Sequence, residues 1–286
     1  MTPLTHYRSE AGRQALMDFY DRVLAHWPVA YQTQRVETRF GETHVIASGD
    51  PLNPPLILLH GATSNAATWA GDVAAYAAAY RVYAVDLVGE PGKSGPARPP
   101  YEGTAFPDWL EDVRVGLHIE SVTLVGLSLG GWLALKYAIA YPQNVAALVL
   151  LTPAGLVPPN AAFFRRMLLL FLLGRWGQRR AVQMMFADVP VIDMTVDGMA
   201  LIVRHFKPRR DDVPLFRDEE LATIKVPALF IGGEKDDLLD ARVGSNRLKA
   251  VMPQLEVRLL PGVGHAVVGV ADVAMGFLTS TLARPA

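Results

Sequence analysis

From residue 55 to residue 151, and again from 226 to 282, the chain repeats one pattern: a short apolar run, a turn, then a stretch of helix formers. The apolar runs are 55–60, 81–86, 121–125, 145–151, 226–232 and 255–260. Segments that are apolar almost throughout, rather than in alternation, need cover on both faces. Helices between them supply it, so the pattern predicts a mostly parallel sheet between two helical layers, an α/β fold. The helical stretches are read at 68–79, 106–117, 131–138, 241–251 and 271–282. Ahead of the repeat, 34–40 and 42–48 flank Gly41 and alternate apolar with polar residues, as a hairpin does.

The pattern breaks after Leu151. Residues 152 to about 210 contain no convincing strand but carry helical stretches at 161–173, 175–186 and 196–206. The expected organisation is a core made of 1–151 and 217–286, with 152–216 inserted as a helical cap. The core includes an N-terminal helix capped by Ser9, with Leu16, Phe19, Val23 and Trp27 on one face.

Bulk properties exclude several classes. With 27 basic and 28 acidic residues, and the basic ones dispersed, nothing suggests a nucleic-acid partner. There is no cysteine, which rules out disulfides, thiolate nucleophiles and cysteine-ligated metals. Arg8, Glu10, Arg13 and Asp18 stand too close together for the apolar core of a signal peptide. The longest apolar run, 167–173, falls well short of the roughly 20 residues that span a bilayer. The expectation is a soluble cytoplasmic protein without a membrane span; its oligomeric state is not readable.

The chemistry-bearing feature is Gly126-Leu127-Ser128-Leu129-Gly130, between an apolar strand and a helix without a breaker before Pro142. A serine between two glycines at a strand-to-helix turn is the pattern of a nucleophile elbow, which lifts the hydroxyl clear of the sheet. Such a hydroxyl needs a base and an acid that orients the base, in loops after later strands. After 226–232 comes Gly233-Glu234-Lys235-Asp236-Asp237; Asp236 is the preferred acid, with Asp237 and Asp240 as alternatives. After 255–260 comes Pro261-Gly262-Val263-Gly264-His265, and His265 is the candidate base. The N–H of Leu129, after the nucleophile, and that of Ala62, in the turn His60-Gly61-Ala62, are candidate oxyanion donors. His60 itself is expected to shape that turn. The glycine-rich stretch Gly89-Glu90-Pro91-Gly92-Lys93-Ser94 lacks the spacing of a phosphate loop, and Pro91 removes an N–H that phosphates would need.

With these residues assembled, the chain resembles the α/β-hydrolase fold superfamily over nearly its whole length. Within it, the chain is similar to the bacterial carboxylesterase NP type. The resemblance rests on the stretch from Thr38 through Gly41 to Gly49, on the Gly-Leu-Ser-Leu-Gly-Gly elbow, on Asp218-Glu219-Glu220-Leu221, and on the long loop from Asp86 to Ser94. It implies an eight-stranded sheet with a helical cap and cleavage of carboxylic esters, members of that type acting on esters of arylpropionic acids. This chain departs from the type in offering an aspartate, Asp236, where the type carries a glutamate.

The expected function is therefore a serine hydrolase that cleaves a small-molecule ester through an acyl-enzyme, without cofactor or metal. Phe163, Phe164, Leu168 and Phe171 are candidate lining for a lipophilic or aromatic acyl group, against the plainer reading that they pack the cap onto the sheet. Carbon–carbon, lactone or thioester cleavage and cofactor-free perhydrolysis use the same triad, and a non-catalytic ligand-binding member of the fold is the alternative from another class.

Overall fold

The computed structural model describes residues 6–282; the ends of the expected core range, 1–5 and 283–286, lie outside the described residues. The first element is helix α1 (Glu10–Leu24), whose Ser9 cap accepts the Gly12 N–H at 3.0 Å. Strands β1 (Tyr31–Thr38) and β2 (Gly41–Ser48) form the hairpin, closed by Arg39 and Phe40, with Gly41 at φ +96°. A positive φ there favours a residue without Cβ.

Next come β3 (Pro55–Leu59), α2 (Val73–Ala77), β4 (Arg81–Val85), α3 (Ala105–Gly116), β5 (Val122–Leu127), α4 (Leu129–Ala140) and β6 (Val145–Leu151). The segment between β6 and β7 carries α5 (Ala161–Phe171), α6 (Gly174–Phe186), α7 (Asp193–His205) and the short α8 (Asp218–Leu221). The chain ends with β7 (Ala228–Gly233), α9 (Ala241–Val251), β8 (Glu256–Leu260) and α10 (Ala271–Leu282).

One expectation needs correction. The continuous helix read over 68–79 is a 3₁₀ segment, Ala66–Gly71, followed by the short α2. The break falls at Asp72, whose carboxylate is used elsewhere. It accepts the N–H groups of Gly269, Val270 and Ala271 at 2.9–3.0 Å and so caps α10 from across the molecule.

The eight strands form one sheet in the order β1-β2-β4-β3-β5-β6-β7-β8. Only the β1–β2 and β2–β4 pairs are antiparallel; from β4 through β8 every pair is parallel. Alternate residues of the parallel strands feed two separate cores, as a period of two requires. Ile57, Leu59, Leu124, Leu148, Leu150 and Phe230 pack with α3, α4 and α9 on one face. Leu56, Leu58, Val125, Val149, Leu229 and Ile231 pack with α1, α2 and α10 on the other. The sheet reverses its winding between β3 and β5, and loops leaving the carboxyl ends of parallel strands meet at one rim.

Arg247 on α9 ties together both ends of the helical segment between β6 and β7. Its guanidinium donates to the carbonyls of Leu156 (2.6 Å) and Phe216 (2.5 Å) and to Asp218 (2.8 Å). The far end of α6 is joined to the loop after β8: the Ala266 N–H donates to the Met185 carbonyl at 2.8 Å, and Ala187 pairs with Val263. Among the described residues, no helix is long and apolar enough to cross a membrane.

Candidate active site

Ser128 stands between β5 and α4 at φ +51°, ψ −108°, a backbone geometry that costs a residue with a Cβ of order 1–3 kcal/mol. It is held from both sides. Its N–H donates to the Leu151 carbonyl at 2.9 Å, and its carbonyl accepts from Trp132 and Ala154 at 2.9 and 3.0 Å. The flanking glycines answer to close approach. A Cβ on Gly126 would meet the Gly130 carbonyl, and one on Gly130 would run into the carbonyl of Leu59 in β3. Gly131 is similarly confined, since a Cβ there would stand 2.8 Å from Pro153 Cβ.

The loops after β7 and β8 bring two further side chains to Ser128. His265 Nε2 lies 3.1 Å from Ser128 Oγ, and His265 Nδ1 lies 2.9 Å from Asp236 Oδ2. The other oxygen of Asp236 accepts the N–H groups of Leu238 and Leu239 at 2.9 and 3.0 Å. Burial by itself would raise this carboxyl. The hydrogen bond and charge of His265, with the two N–H donors, hold it below its ordinary value. An ionised Asp236 accepts the Nδ1 proton, which leaves Nε2 free to accept from the serine hydroxyl. Of the three aspartates weighed from sequence, only Asp236 faces the histidine. Asp237 is exposed, and Asp240 caps α9 by accepting the Val243 N–H.

The turn after β3 passes directly beside the serine: a Cβ on Gly61 would stand 3.6 Å from Ser128 Cβ. His60 uses both ring nitrogens to build this turn. Nε2 accepts the Leu87 N–H at 2.9 Å, so Nδ1 carries the proton and donates to the Gly61 carbonyl at 2.8 Å. Full burial lowers its pKa and keeps the ring neutral. Among the described residues, neither the Ala62 N–H nor the Leu129 N–H donates to a protein acceptor.

The candidate acyl-lining residues are dispersed. Phe163 is buried with Leu238 and Leu239, directly behind the Asp236 loop, and Asn160 at the head of α5 donates to the Asp237 carbonyl. Leu168 and Phe171 instead line an open groove against Phe19 and Val23 of α1, which none of Ser128, Asp236 and His265 reaches. Phe164 is exposed.

Three supports of the site escaped sequence reasoning. Thr152 Oγ1 donates to the His265 carbonyl at 3.1 Å, fixing the His265 loop to the end of β6. Asp86 is fully buried and collects the N–H groups of Ala66 and Lys93 and the hydroxyl of Tyr20. Glu90 accepts the Thr63 N–H at 2.7 Å, one residue beyond Ala62. An acid closing an apolar strand, and another inside a Gly-Pro loop, were the available signals for Asp86 and Glu90. Nothing local marks Tyr20.

Comparison with known proteins gives this geometry a lineage. Residues 56–273 match the model of the alpha/beta hydrolase family. The chain belongs to that family. It is 33% identical over 259 residues to the uncharacterized carboxylesterase nap of Bacillus subtilis, covering 86% of this chain and 84% of the relative. Carboxylesterase YbfK of the same organism is 31% identical, with 86% of each chain covered. The crystal structure of naproxen esterase (carboxylesterase NP) from Bacillus subtilis superposes with a TM-score of 0.85 at 30% identity, over 95% of this chain and 99% of that one. The resemblance to the carboxylesterase NP type, read from the hairpin, elbow and Asp86 loop motifs, is thereby borne out.

Proposed function

We propose that this member of the alpha/beta hydrolase family is a carboxylic ester hydrolase that works through a covalent acyl-enzyme on Ser128. The observation that carries the reading is the unbroken hydrogen-bonded line from Asp236 through His265 to Ser128. Carboxylesterase is also the activity named for its relatives.

Each step follows from the donors and acceptors at hand. Ser128 Oγ attacks the acyl carbon as its proton passes to His265 Nε2, and the imidazolium so formed is stabilised by Asp236. The carbonyl oxygen gains negative charge as the carbon becomes tetrahedral. The unpartnered N–H groups of Ala62 and Leu129 are the donors for it, and one such donor is worth roughly a hundredfold to a thousandfold in rate. His265 then returns the proton to the departing alkoxide, which leaves as the alcohol. Water enters, gives its proton to His265 and releases the acid, restoring the serine.

Residues 152–216 serve in this reading as a cap over the rim. The join between Met185 and Ala266 supports it, because the cap then bears directly on the loop of the base. The acyl group is lipophilic or aromatic. The likeness to an esterase named for naproxen supports that preference.

A fluorophosphonate probe tests the proposal. Stoichiometric labelling, absent in Ser128→Ala together with turnover of p-nitrophenyl esters, is expected. Labelling that persists in that variant would overturn it.

A further inference from the structure

Between Leu151 and Ala187 the chain contains five arginines and no acidic residue. The same stretch holds the most exposed apolar side chains of the helical segment. Leu168, Leu169, Leu172, Leu173 and Trp176 are all solvent-facing, Leu172 at 77% and Trp176 at 69% exposure. Leu168 and Leu169 stand on the last turn of α5, Leu172 and Leu173 in the turn that joins it to α6, and Trp176 in the first turn of α6, so they gather at that one junction. We propose that this face docks on an anionic lipid surface.

Charge selects that occupant. The nearest acids, Asp193 and Asp197 on α7, are already engaged: Arg175 pairs with both, and Arg179 with Asp193. Arg165, Arg166, Arg180 and Arg204 have no ion pair among the described residues. The face is therefore apolar in its centre and net cationic at its margin. An open groove of about 840 Å³ continues it between α5, α1 and α7, with Arg22, His26 and Arg204 among its lining. Leucines and a tryptophan flanked by arginines are the composition of a segment that lies in a bilayer interface, its apolar side in the acyl boundary and its cations among phosphates. A second copy of the chain is a poorer occupant. Seating the face on itself would bring Arg165, Arg166 and Arg180 of one molecule toward those of the other.

The experiment is vesicle flotation of the full-length protein, with phosphatidylcholine vesicles that contain or lack phosphatidylglycerol, at low and high salt. Partition onto the anionic vesicles is expected to exceed that onto neutral ones at least about tenfold, and to fall with salt as interfacial attraction is screened. Two variants bear on different halves of the argument. The pair Leu173→Glu and Trp176→Glu removes the apolar insertion. The pair Arg165→Glu and Arg166→Glu reverses charge at exposed positions, leaving the apolar face intact. Each pair is expected to weaken partition about tenfold or more, with the circular dichroism spectrum and melting temperature unchanged. The proposal is overturned by equal partition onto neutral and anionic vesicles, by no partition, or by unchanged partition in the charge-reversed pair. A concentration-dependent dimer that Leu173→Glu dissociates would also overturn it, since a second copy would then cover the face.

Discussion

The Thr63 N–H donates to Glu90 Oε2 at 2.7 Å, joining the turn that carries Ala62 to a carboxyl that is almost wholly buried. Thr63 sits at φ +52°, so this hydrogen bond secures a backbone geometry that side chains rarely adopt. Glu90 is thus a positioning residue for the turn beside Ser128. Burial pushes its carboxyl up to about 7, against the pull of the Thr63 N–H and of Arg98 and Arg209.

That displacement has a definite sign. Between about pH 4.5 and 7 the folded protein retains a proton on Glu90 that the unfolded chain releases. Stability should therefore fall as pH rises through this window, by ~3 kcal/mol for an isolated site. Glu90→Gln keeps an oxygen for Thr63 and has no proton to lose. Its unfolding free energy, followed by urea titration at several pH values, should lack that slope and exceed the parent's above pH 7. Parallel curves for the two proteins would refute the assignment.

Replacing Asp236 with Asn should lower kcat for a p-nitrophenyl ester by about 10⁴-fold, because the amide no longer holds the Nδ1–H tautomer of His265. Asp237→Asn, at an exposed position outside the hydrogen-bonded line, should lose less than about twofold. Comparable losses in both variants would break the choice of Asp236.

At the elbow, Gly130→Ala places a methyl group against the Leu59 carbonyl, between two rigid elements. We expect a loss of ~3 kcal/mol or more. A Cβ on Gly71 meets nothing within 4 Å, so Gly71→Ala should change stability by less than ~0.5 kcal/mol. Thermal unfolding of the two variants compares them directly.

Arg247→Met removes three charge-assisted hydrogen bonds that close the ends of the 152–216 segment onto α9. The expected cost is ~2 kcal/mol. Hydrogen exchange should accelerate in peptides around Leu156 and Phe216 and stay unchanged in β5. Uniform acceleration across the chain would show that Arg247 supports the whole fold rather than the junction.

Much of the architecture was legible because its signals are local. Runs such as 145–151 are apolar enough to demand cover on both faces, and Gly126, Ser128 and Gly130 announce a sharp turn before a helix. The helix read over 68–79 failed for a non-local reason: Asp72 is drawn away to cap α10, almost two hundred residues later in the chain. Tyr20 was invisible for the same kind of reason. It looks like one more apolar position on α1, yet its hydroxyl meets Asp86 inside the core.

The sequence by itself determined the sheet, the helical interruption after β6 and the residues eligible for the site, since periodicity and turn chemistry act over a few neighbours. Only the tertiary structure shows which of Asp236, Asp237 and Asp240 the β7 loop turns toward His265, because that depends on how two distant loops meet. It also decided where the apolar residues of α5 point. Phe163 goes inward behind the Asp236 loop while Leu168 and Leu169 face outward, a division set by how the whole helix packs and not by the composition they share.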